Sequence, residues 1–289
     1  MTTLRVAIVP IEGAAEVYYA NDLGSFAKAG LDVEIQTMQS SPAIAAAVAS
    51  NSVDIGFMSV DSLATIHQKN IPLVIIAPAT EYASPATSRT VAITLSAHSP
   101  TRQAKDLNGK IIAVNALHSL STLGPSVWID QNGGNSSTVK FVEMPMSAMA
   151  AALDAGRVDA ALVSEPFTSE ARKSGRILVS GFDAIAKHFL TTTWCTTAQW
   201  AKDHADAVQR FAGVIHDTAV WANKNPDKSG EILVKYTKID PAAIATMARS
   251  RYCEQLTPAL IQPLVDVSAK YNGFAAFPAQ ELVYVGPSR

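Results

Sequence analysis

The chain has 289 residues, 48% hydrophobic and 17% charged, so it is long enough for two domains with sizeable cores. A formal net charge of −2 and the lack of any Lys/Arg-rich run disfavour nucleic acid and anionic membranes as partners. No run of 18 apolar residues is present, so the sequence encodes no transmembrane helix.

Strand-like and helix-like segments alternate from the start of the chain. Residues 4–10 are predicted to form the first strand, followed by a loop at Glu12-Gly13 and a helix over about 14–29. Gly30 is suited to close that helix, and the alternating run 31–35 predicts the second strand. Ser40, Ser41 and Pro42 are a serine cap and an N-terminal proline, which predict the start of another helix.

That helix opens a stretch that occurs twice in the chain. Residues 42–62 and 148–167 both read as an Ala-rich helix, a tight turn and a short apolar strand that ends in a polar loop with an acid. At an offset of 105, the first copy matches the second in Ala43, Ala45, Ala46, Ala47, Val53, Asp54 and Ser59 against Ala148, Ala150, Ala151, Ala152, Val158, Asp159 and Ser164. Residues 5–9 align with 110–114 at the same offset, and 33–35 with 139–141 after a one-residue slip. The repeat predicts two topologically related lobes that face each other.

The remaining elements complete this plan. In lobe one, strand 55–58, helix 62–69 and strand 73–77 lead to a polar crossover at 80–90, and strand 91–95 begins lobe two. Lobe two continues with a helix that ends at 108–109, strand 111–114, a loop at 115–121, a helix over about 122–132 and strand 139–142. The last strands are predicted at 177–180 and 191–196, the latter returning to lobe one. From Gln199 the pattern is helical, with proline-marked helix starts at Pro241 and Pro258, and the final helix is expected to pack back on lobe one.

The polar loops at the strand ends predict where a ligand binds. In open α/β sheets ligands lie beyond the carboxyl ends of the strands, and equivalent loops of two facing lobes converge on one cleft. These loops are 12–13, 40–41, 59–61, 81–82, 115–121 and 165–167. The predicted fold class is α/β: two similar lobes, each with a mixed, mostly parallel sheet flanked by helices, and a ligand cleft between them.

Several runs resemble one known family. YYANDLGSFAKAGLDVEI (residues 18–35), VDIGFMS (53–59), KDLNGKIIAV (105–114) and EPF (165–167) are similar to segments of solute-binding proteins of ABC importers. The branch concerned binds alkyl sulfonates, taurine, nitrate or thiamine-pyrimidine precursors. The resemblance implies a type II periplasmic-binding fold with two crossovers. Lobe one would comprise residues 1–88 and 195–289, and lobe two residues 89–194.

The first group of candidate ligand-binding residues carries hydroxyl, amide or imidazole groups. Ser40 and Ser41 precede a helix whose N–H groups suit an anion, although plain helix capping explains them equally well. The equivalent loop of lobe two supplies similar hydroxyl groups, together with His118. The alternative for His118 is a loop histidine that is exposed to solvent and binds no ligand. The group consists of Ser40, Ser41, Ser59, Asn115, His118, Ser119, Ser121 and Thr122.

The second group consists of acids and aromatic residues. Glu12, Asp61, Glu81 and Glu165 occupy predicted cleft loops, and some of them are expected to be solvated or to pair at the hinge. If two reach the ligand, a bare anion is repelled and a ligand with an amine or N–H donors fits better. The aromatic candidates for holding a flat or apolar ligand are Tyr82, Phe167 and Trp194, with core packing as the alternative.

No catalytic or metal-binding signature is present. The sequence lacks nucleophile-elbow, zinc-protease, P-loop and dinucleotide motifs, and its six histidines have no metal-ligand spacing. No catalytic residue, metal or cofactor is therefore expected. Cys195 and Cys253 are read as buried small hydrophobes, with a disulfide as the alternative.

The sequence therefore favours a non-enzymatic, monomeric binding protein that delivers a small molecule to an ABC permease. A periplasmic or extracytoplasmic location is expected for such a protein. Residues 1–10 lack the features of a signal peptide, so this expectation presumes that a leader has been removed. The alternative is a cytosolic cofactor-biosynthesis enzyme on the same fold. An effector-sensing domain of a regulator is disfavoured, because no helix-turn-helix precedes the first strand.

Overall fold

The computed structural model describes residues 1–87, 89–237 and 239–286, which form two lobes, each built on a five-stranded sheet. Lobe one opens with β1 (Thr2–Ile8), α1 (Glu16–Asp22), α2 (Ser25–Lys28), β2 (Leu31–Thr37), α3 (Ser41–Ala49), β3 (Ile55–Ser59), α4 (Val60–His67) and β4 (Leu73–Pro78). Strand β5 (Thr80–Ala83) follows and leads toward lobe two.

Lobe two consists of β6 (Val91–Ser96), β7 (Ile111–Val114), α5 (Leu120–Gln131), β8 (Lys140–Glu143), α6 (Met146–Asp154), β9 (Ala160–Ser164), α7 (Phe167–Ser174) and β10 (Gly175–Ser180). The chain returns through β11 (His188–Leu190) and β12 (Thr192–Thr197). It ends with α8 (Ala198–Asp203), α9 (Ala205–Lys224), α10 (Pro226–Thr237), α11 (Pro241–Thr246), β13 (Arg251–Tyr252) and α12 (Pro258–Asn272). Short 3-10 turns lie at Glu12–Ala14, Ala104–Leu107, Ser136–Thr138 and Ala279–Leu282.

The two large sheets have the same strand arrangement. Lobe one has the order β2-β1-β3-β12-β4, and lobe two, read in the matching direction, has β8-β7-β9-β6-β10. In each sheet the first three strands are parallel, and the fourth is antiparallel to both of its neighbours. The predicted fold class and the internal repeat are thus confirmed, and the carboxyl ends of corresponding strands form equivalent edges of the two lobes.

Two adjacent segments join the lobes. The N–H of Ala79 donates to the carbonyl of Thr192 at 3.1 Å, and the N–H of Thr191 donates to that of Thr80 at 2.9 Å. Beside them β11, β5 and β13 form a third, three-stranded sheet. Strand β12 runs through the predicted boundary at 194/195 and lies wholly in the sheet of lobe one. The other predicted boundary falls at Ser88, outside the part of the chain that the structure describes.

Some predicted elements differ from those observed. The helix predicted over 14–29 is split into α1 and α2 by Gly24, whose φ of 67° belongs to the left-handed region. Residues 80–83, read as part of a loop, form β5, because β11 and β13 supply backbone partners from distant parts of the chain. The helix predicted to end at 108–109 is only a 3-10 turn, Ala104–Leu107. The prediction that the last helix packs on lobe one is confirmed by the packing of α12 against α4.

The packing beneath the first repeat explains its alanine and glycine content. Helix α3 lies so close over β3 that a Cβ added to Gly56 would stand 2.4 Å from Cγ2 of Ile44 and 2.9 Å from Cγ2 of Val48. On the other face of the sheet, α9 packs Phe211 against Trp194, with ring centroids 5.7 Å apart. The sheet of lobe one is thus covered on both faces, which leaves its strand ends free to form a site.

Candidate functional site

A cavity of about 110 Å³ lies between the lobes, at the carboxyl ends of their strands. Lobe one contributes residues that follow β1, the end of β3, the first residue of α3 and part of β5, and lobe two contributes the loops after β7 and β9. The paired crossing segments supply Thr80, Thr191 and Thr192. The cavity therefore lies where the shared topology of the lobes predicts a ligand cleft.

The lobes touch each other around this cavity. The N–H of Glu12 donates to the carbonyl of Glu165 at 3.1 Å, and the N–H of Ala248 donates to Oε1 of Glu165 at 3.3 Å. Nδ2 of Asn115 lies 3.4 Å from the carbonyl of Gln39. These contacts join the loops after β9 and β7 to three separate segments of lobe one.

Hydroxyl groups at the starts of three helices form one part of the wall. Ser41 is the first residue of α3, Ser59 precedes α4, and Ser119 precedes α5. Ser41 Oγ accepts from the N–H of Ser59 at 3.1 Å, and Ser119 Oγ accepts from the N–H of Ser121 at 3.3 Å. The hydroxyl of Ser121 also donates to Oδ1 of Asn115. Some of the helix-start N–H groups are therefore already bonded by side chains of the wall.

The threonines of the crossing segments form a second hydroxyl group. Oγ1 of Thr80 lies 2.8 Å from Oγ1 of Thr191 and 2.5 Å from Oγ1 of Thr192. Ten of the residues lining the cavity are Ser or Thr. Because a hydroxyl donates and accepts, this lining suits a ligand with several polar groups but does not fix the charge of the ligand.

Glu81 and Glu165 are the carboxylates that line the cavity, one from each side. Glu81 is 8% exposed; its oxygens contact Nε of Arg251 and, at 3.0 Å, Nε2 of His188. Glu165 is 2% exposed and accepts from Ser169 Oγ at 2.9 Å and Ser169 N at 3.0 Å, besides Ala248. Burial raises the pKa of Glu165. Glu81 thus has a cationic partner, whereas the hydrogen-bond donors to Glu165 are all uncharged.

An aromatic and aliphatic wall completes the cavity. The rings of Tyr82 and Phe182 meet edge to face, with centroids 5.9 Å apart. The hydroxyl of Tyr82 donates to Oδ1 of Asp183 at 2.7 Å and lies 2.6 Å from Ser180 Oγ, so the ring is held from lobe two. Leu120 and Leu162 lie on the same wall. The site can therefore surround an apolar or flat ligand body while hydroxyls and carboxylates meet its polar groups.

The structure brings together eight of the fifteen residues predicted for the site. These residues are Ser41, Ser59, Glu81, Tyr82, Asn115, Ser119, Ser121 and Glu165. Their contact with a ligand stays a prediction, since the structure contains none. Six of the eight follow strands that were predicted from the sequence, whereas Glu81 and Tyr82 lie in β5, which was read as a loop.

Three predicted residues are buried elsewhere. Glu12 forms an ion pair with Arg249, its Oε1 3.0 Å from Nε, because the chain brings Arg249 over the 3-10 turn at Glu12–Ala14. Asp61 is 1% exposed, because α4 begins at Val60 and takes the residue into its first turn. Trp194 is fully buried within β12, where its Nε1 donates to Oε2 of Glu16 at 3.0 Å. None of the three lines this cavity, although Glu12 lines a second cavity, described below.

Four other predicted residues lie near the cavity without lining it. Ser40 is the buried N-cap residue of α3, and Thr122 exchanges hydrogen bonds with Ser119 in the cap of α5. His118 is exposed, with a positive φ of 51°. Phe167, at the start of α7, lines a separate cavity of about 530 Å³ between α7 and the α10–α11 segment. Of the three aromatic candidates, Tyr82 alone therefore lines the cavity between the lobes.

Sequence reasoning missed several residues of the lining. Ser250 reaches the cavity from the segment after α11, which was read as helical and without a chemical motif. Thr90, Ser164, Thr191 and Thr192 also line it. Thr191 and Thr192 adjoin the predicted return to lobe one, so the crossover itself was a signal that could have pointed to them.

Other features of the described residues bear on chemistry. Among them, no three His, Cys, Asp or Glu side chains are grouped so as to hold a metal ion, and no helix is long and apolar enough to cross a membrane. Cys195 and Cys253 are both buried and free. The cavity is thus a polar and aromatic pocket, without a metal cluster in the described part of the chain.

Comparison with known proteins places the chain in a family. Residues 13–229, more than half of the chain, match the family model described as NMT1/THI5 like. The chain belongs to this family. No curated protein matches this NMT1/THI5-like chain by sequence.

Solved structures share its fold. The alkanesulfonate-binding protein SsuA from Xanthomonas axonopodis pv. citri, bound to MOPS, superposes with a TM-score of 0.81 at 16% identity, covering 98% of each chain. The periplasmic nitrate-binding protein NrtA from Synechocystis gives 0.72 at 16% identity, over 84% of this chain and 69% of that one. A Candida albicans protein, CA3427, described as having the generic periplasmic binding protein fold, gives 0.80 at 14% identity over 100% and 98%. At these identities the likeness shows that the NMT1/THI5-like chain has the periplasmic-binding fold.

Proposed function

We propose that this protein is the substrate-binding component of an ABC importer and works outside the cytoplasm. It captures one small organic molecule between its lobes and presents it, chemically unchanged, to a membrane permease. The observation that carries the proposal is the cavity at matching strand ends of both lobes, closed by hydrogen bonds that Glu165 accepts from the N–H groups of Glu12 and Ala248. A ligand that touches both walls favours the closed arrangement, because only there does it make all its contacts.

The family and the fold neighbours support the same function. Two similar structures are an alkanesulfonate-binding protein and a periplasmic nitrate-binding protein, and a third, from Staphylococcus aureus, is the ligand-binding component of an ABC-type import system. The acids of the cavity wall hold other protein groups: Glu81 pairs with Arg251, and Glu165 accepts from Ser169 and Ala248. This arrangement fits a wall that orients a ligand. It does not resemble a nucleophile activated by an adjacent base.

The test combines ligand discovery with a measurement of closure. The protein is purified from its native host under native conditions, any retained compound is identified by mass spectrometry, and binding is measured by isothermal titration. Small-angle scattering with and without the compound then reports closure. We expect one molecule per monomer, a smaller radius of gyration on binding, and recovery of the compound with unchanged mass.

A matched pair of variants assigns the binding to this cavity. Ser164→Phe fills the cavity from the end of β9, whereas Ser174→Phe adds the same ring at an exposed position of the same lobe. We expect the first variant to lose binding and the second to keep it. A folded protein that retains nothing from host extract, or that returns an altered compound, would refute the proposal.

A further inference from the structure

The charged groups around the cavity decide what kind of molecule it accepts, given the proposed capture function. Two carboxylates line the cavity, Glu81 and Glu165, while no Lys or Arg side chain of the described residues does so. Glu81 is itself bonded to Arg251, and Nε2 of His188 lies 3.0 Å from its other oxygen. A bound anion would therefore meet two carboxylates and no free cation of the lining.

The helix starts at the cavity do not reverse this balance. Each carries a partial positive charge of roughly half an elementary charge, which favours an anion only weakly. Here the N–H of Ser59 donates to Ser41 Oγ, and the N–H of Ser121 donates to Ser119 Oγ. In α3 the next residue is Pro42, which has no N–H. The donors that an oxyanion needs are thus partly bonded and partly missing.

Glu165 has the stronger requirement for a donor. It is 2% exposed, and its partners Ser169 and Ala248 are uncharged. A carboxylate has about four lone-pair positions, of which three are used by these donors. Arg172 acts on Glu165 electrostatically but is not among its hydrogen-bond donors. Burial of a carboxylate is unfavourable, and a ligand N–H or ammonium group that reaches Glu165 would reduce that cost.

The apolar wall describes the rest of the ligand. Tyr82 and Phe182 present ring edges and faces beside Leu120 and Leu162, across the cavity volume of about 110 Å³. An aromatic or aliphatic body of about one ring fits this surface, and the ten hydroxyl side chains can meet further polar groups.

We infer that the cleft takes a small compound, uncharged or positively charged, that presents N–H donors to Glu165 and Glu81 from an apolar or aromatic body. The same carboxylates reject oxyanions such as sulfonates and nitrate. The inference rests on the proposed capture function. It separates this protein from the fold neighbours that bind alkanesulfonate and nitrate.

The experiment uses three probes with one ring and different head groups: benzylamine, benzamide and benzenesulfonate. Their dissociation constants are measured by isothermal titration at pH 7.5, with sulfate and nitrate as further anions. We expect benzylamine or benzamide to bind at least tenfold more tightly than benzenesulfonate, and no binding of sulfate or nitrate.

Charge-removing variants provide the second readout. Glu165→Gln and Glu81→Gln keep size and an acceptor oxygen but lose the negative charge. We expect each to lower the preference for benzylamine over benzenesulfonate by about tenfold, a ratio that general damage to the protein does not change. Glu231→Gln, on the exposed side of α10, is the control and should leave the ratio unchanged.

Three outcomes overturn the inference: benzenesulfonate binding as tightly as the amine, neither amine nor amide binding, or a ratio that neither variant moves. If an oxyanion binds best, the capture function stands and only the assigned ligand class is wrong. If the folded protein also retains nothing from host extract, the capture function itself fails.

Discussion

Replacing Arg249 should show how strongly the C-terminal segment is tied to lobe one. Its Nε donates to Oε1 of Glu12 at 3.0 Å, and Nη2 donates to the hydroxyl of Tyr19 at 2.9 Å and to Ser229 Oγ at 3.0 Å. Nη1 donates to the carbonyl of Pro226 at 2.7 Å. The Glu12 side chain is fully buried, and that of Arg249 is 19% exposed. Arg249→Ala therefore leaves a carboxylate buried without its cation.

Arg249→Ala is expected to lower the free energy of unfolding by a large amount for a single substitution. Removing one partner of a buried ion pair typically costs about 3–5 kcal/mol, because the other charge stays buried and unpaired. With an unfolding entropy of about 2.1 cal/mol/K per residue, a chain of 289 residues has about 0.6 kcal/mol/K near its midpoint. The melting temperature should therefore fall by about 5–8 °C.

Differential scanning calorimetry tests this value, with Arg157→Ala at an exposed turn as the control. The control should change stability by no more than about 0.5 kcal/mol. Glu12→Gln removes the buried negative charge that Arg249→Ala leaves unpaired. The variant that carries both substitutions should therefore lose less stability than the sum of the losses in the two single variants. If Arg249→Ala melts within a degree of the control, or the two losses simply add, the buried pair does not stabilise the segment as argued.

The remaining predictions concern packing and pH. Gly56→Ala should destabilise the protein by about 1–3 kcal/mol in chemical denaturation, because the new Cβ would meet Ile44 and Val48 within 3 Å. Gly213→Ala, in the middle of α9 with open space around it, should stabilise by about 0.5–1 kcal/mol, and equal effects would contradict the packing argument. Asp61 has no hydrogen-bond partner for its carboxylate among the described residues, and burial raises its pKa to about 7. Because the folded state holds the proton more tightly, its contribution to stability is present below about pH 4 and is lost as the pH rises through 7. Asp61→Asn should therefore match the wild type at pH 4 and exceed it by up to about 4 kcal/mol at pH 8, and a pH-independent difference would refute the assignment.

The sequence predicted the parts of the site that depend on local pattern. The repeat fixed the helix and strand of each half, and residues directly after predicted strands, such as Ser59 and Glu165, lie at the cavity. The sequence did not predict contacts between residues that lie far apart along the chain. Glu12 and Glu81 looked alike as loop acids, but Arg249 buries one outside the cleft, whereas Arg251 meets the other at its wall. Segment 80–83 likewise becomes a strand only through β11 and β13.

The paired crossings between the lobes have a mechanical consequence. Since backbone hydrogen bonds tie Ala79 to Thr192 and Thr80 to Thr191, the two strands must flex together as one ribbon. Hydrogen bonds between the two segments oppose sliding of one along the other more than they oppose bending across the ribbon face. The closure proposed above would therefore be a swing of the lobes that keeps the two walls of the cavity in register.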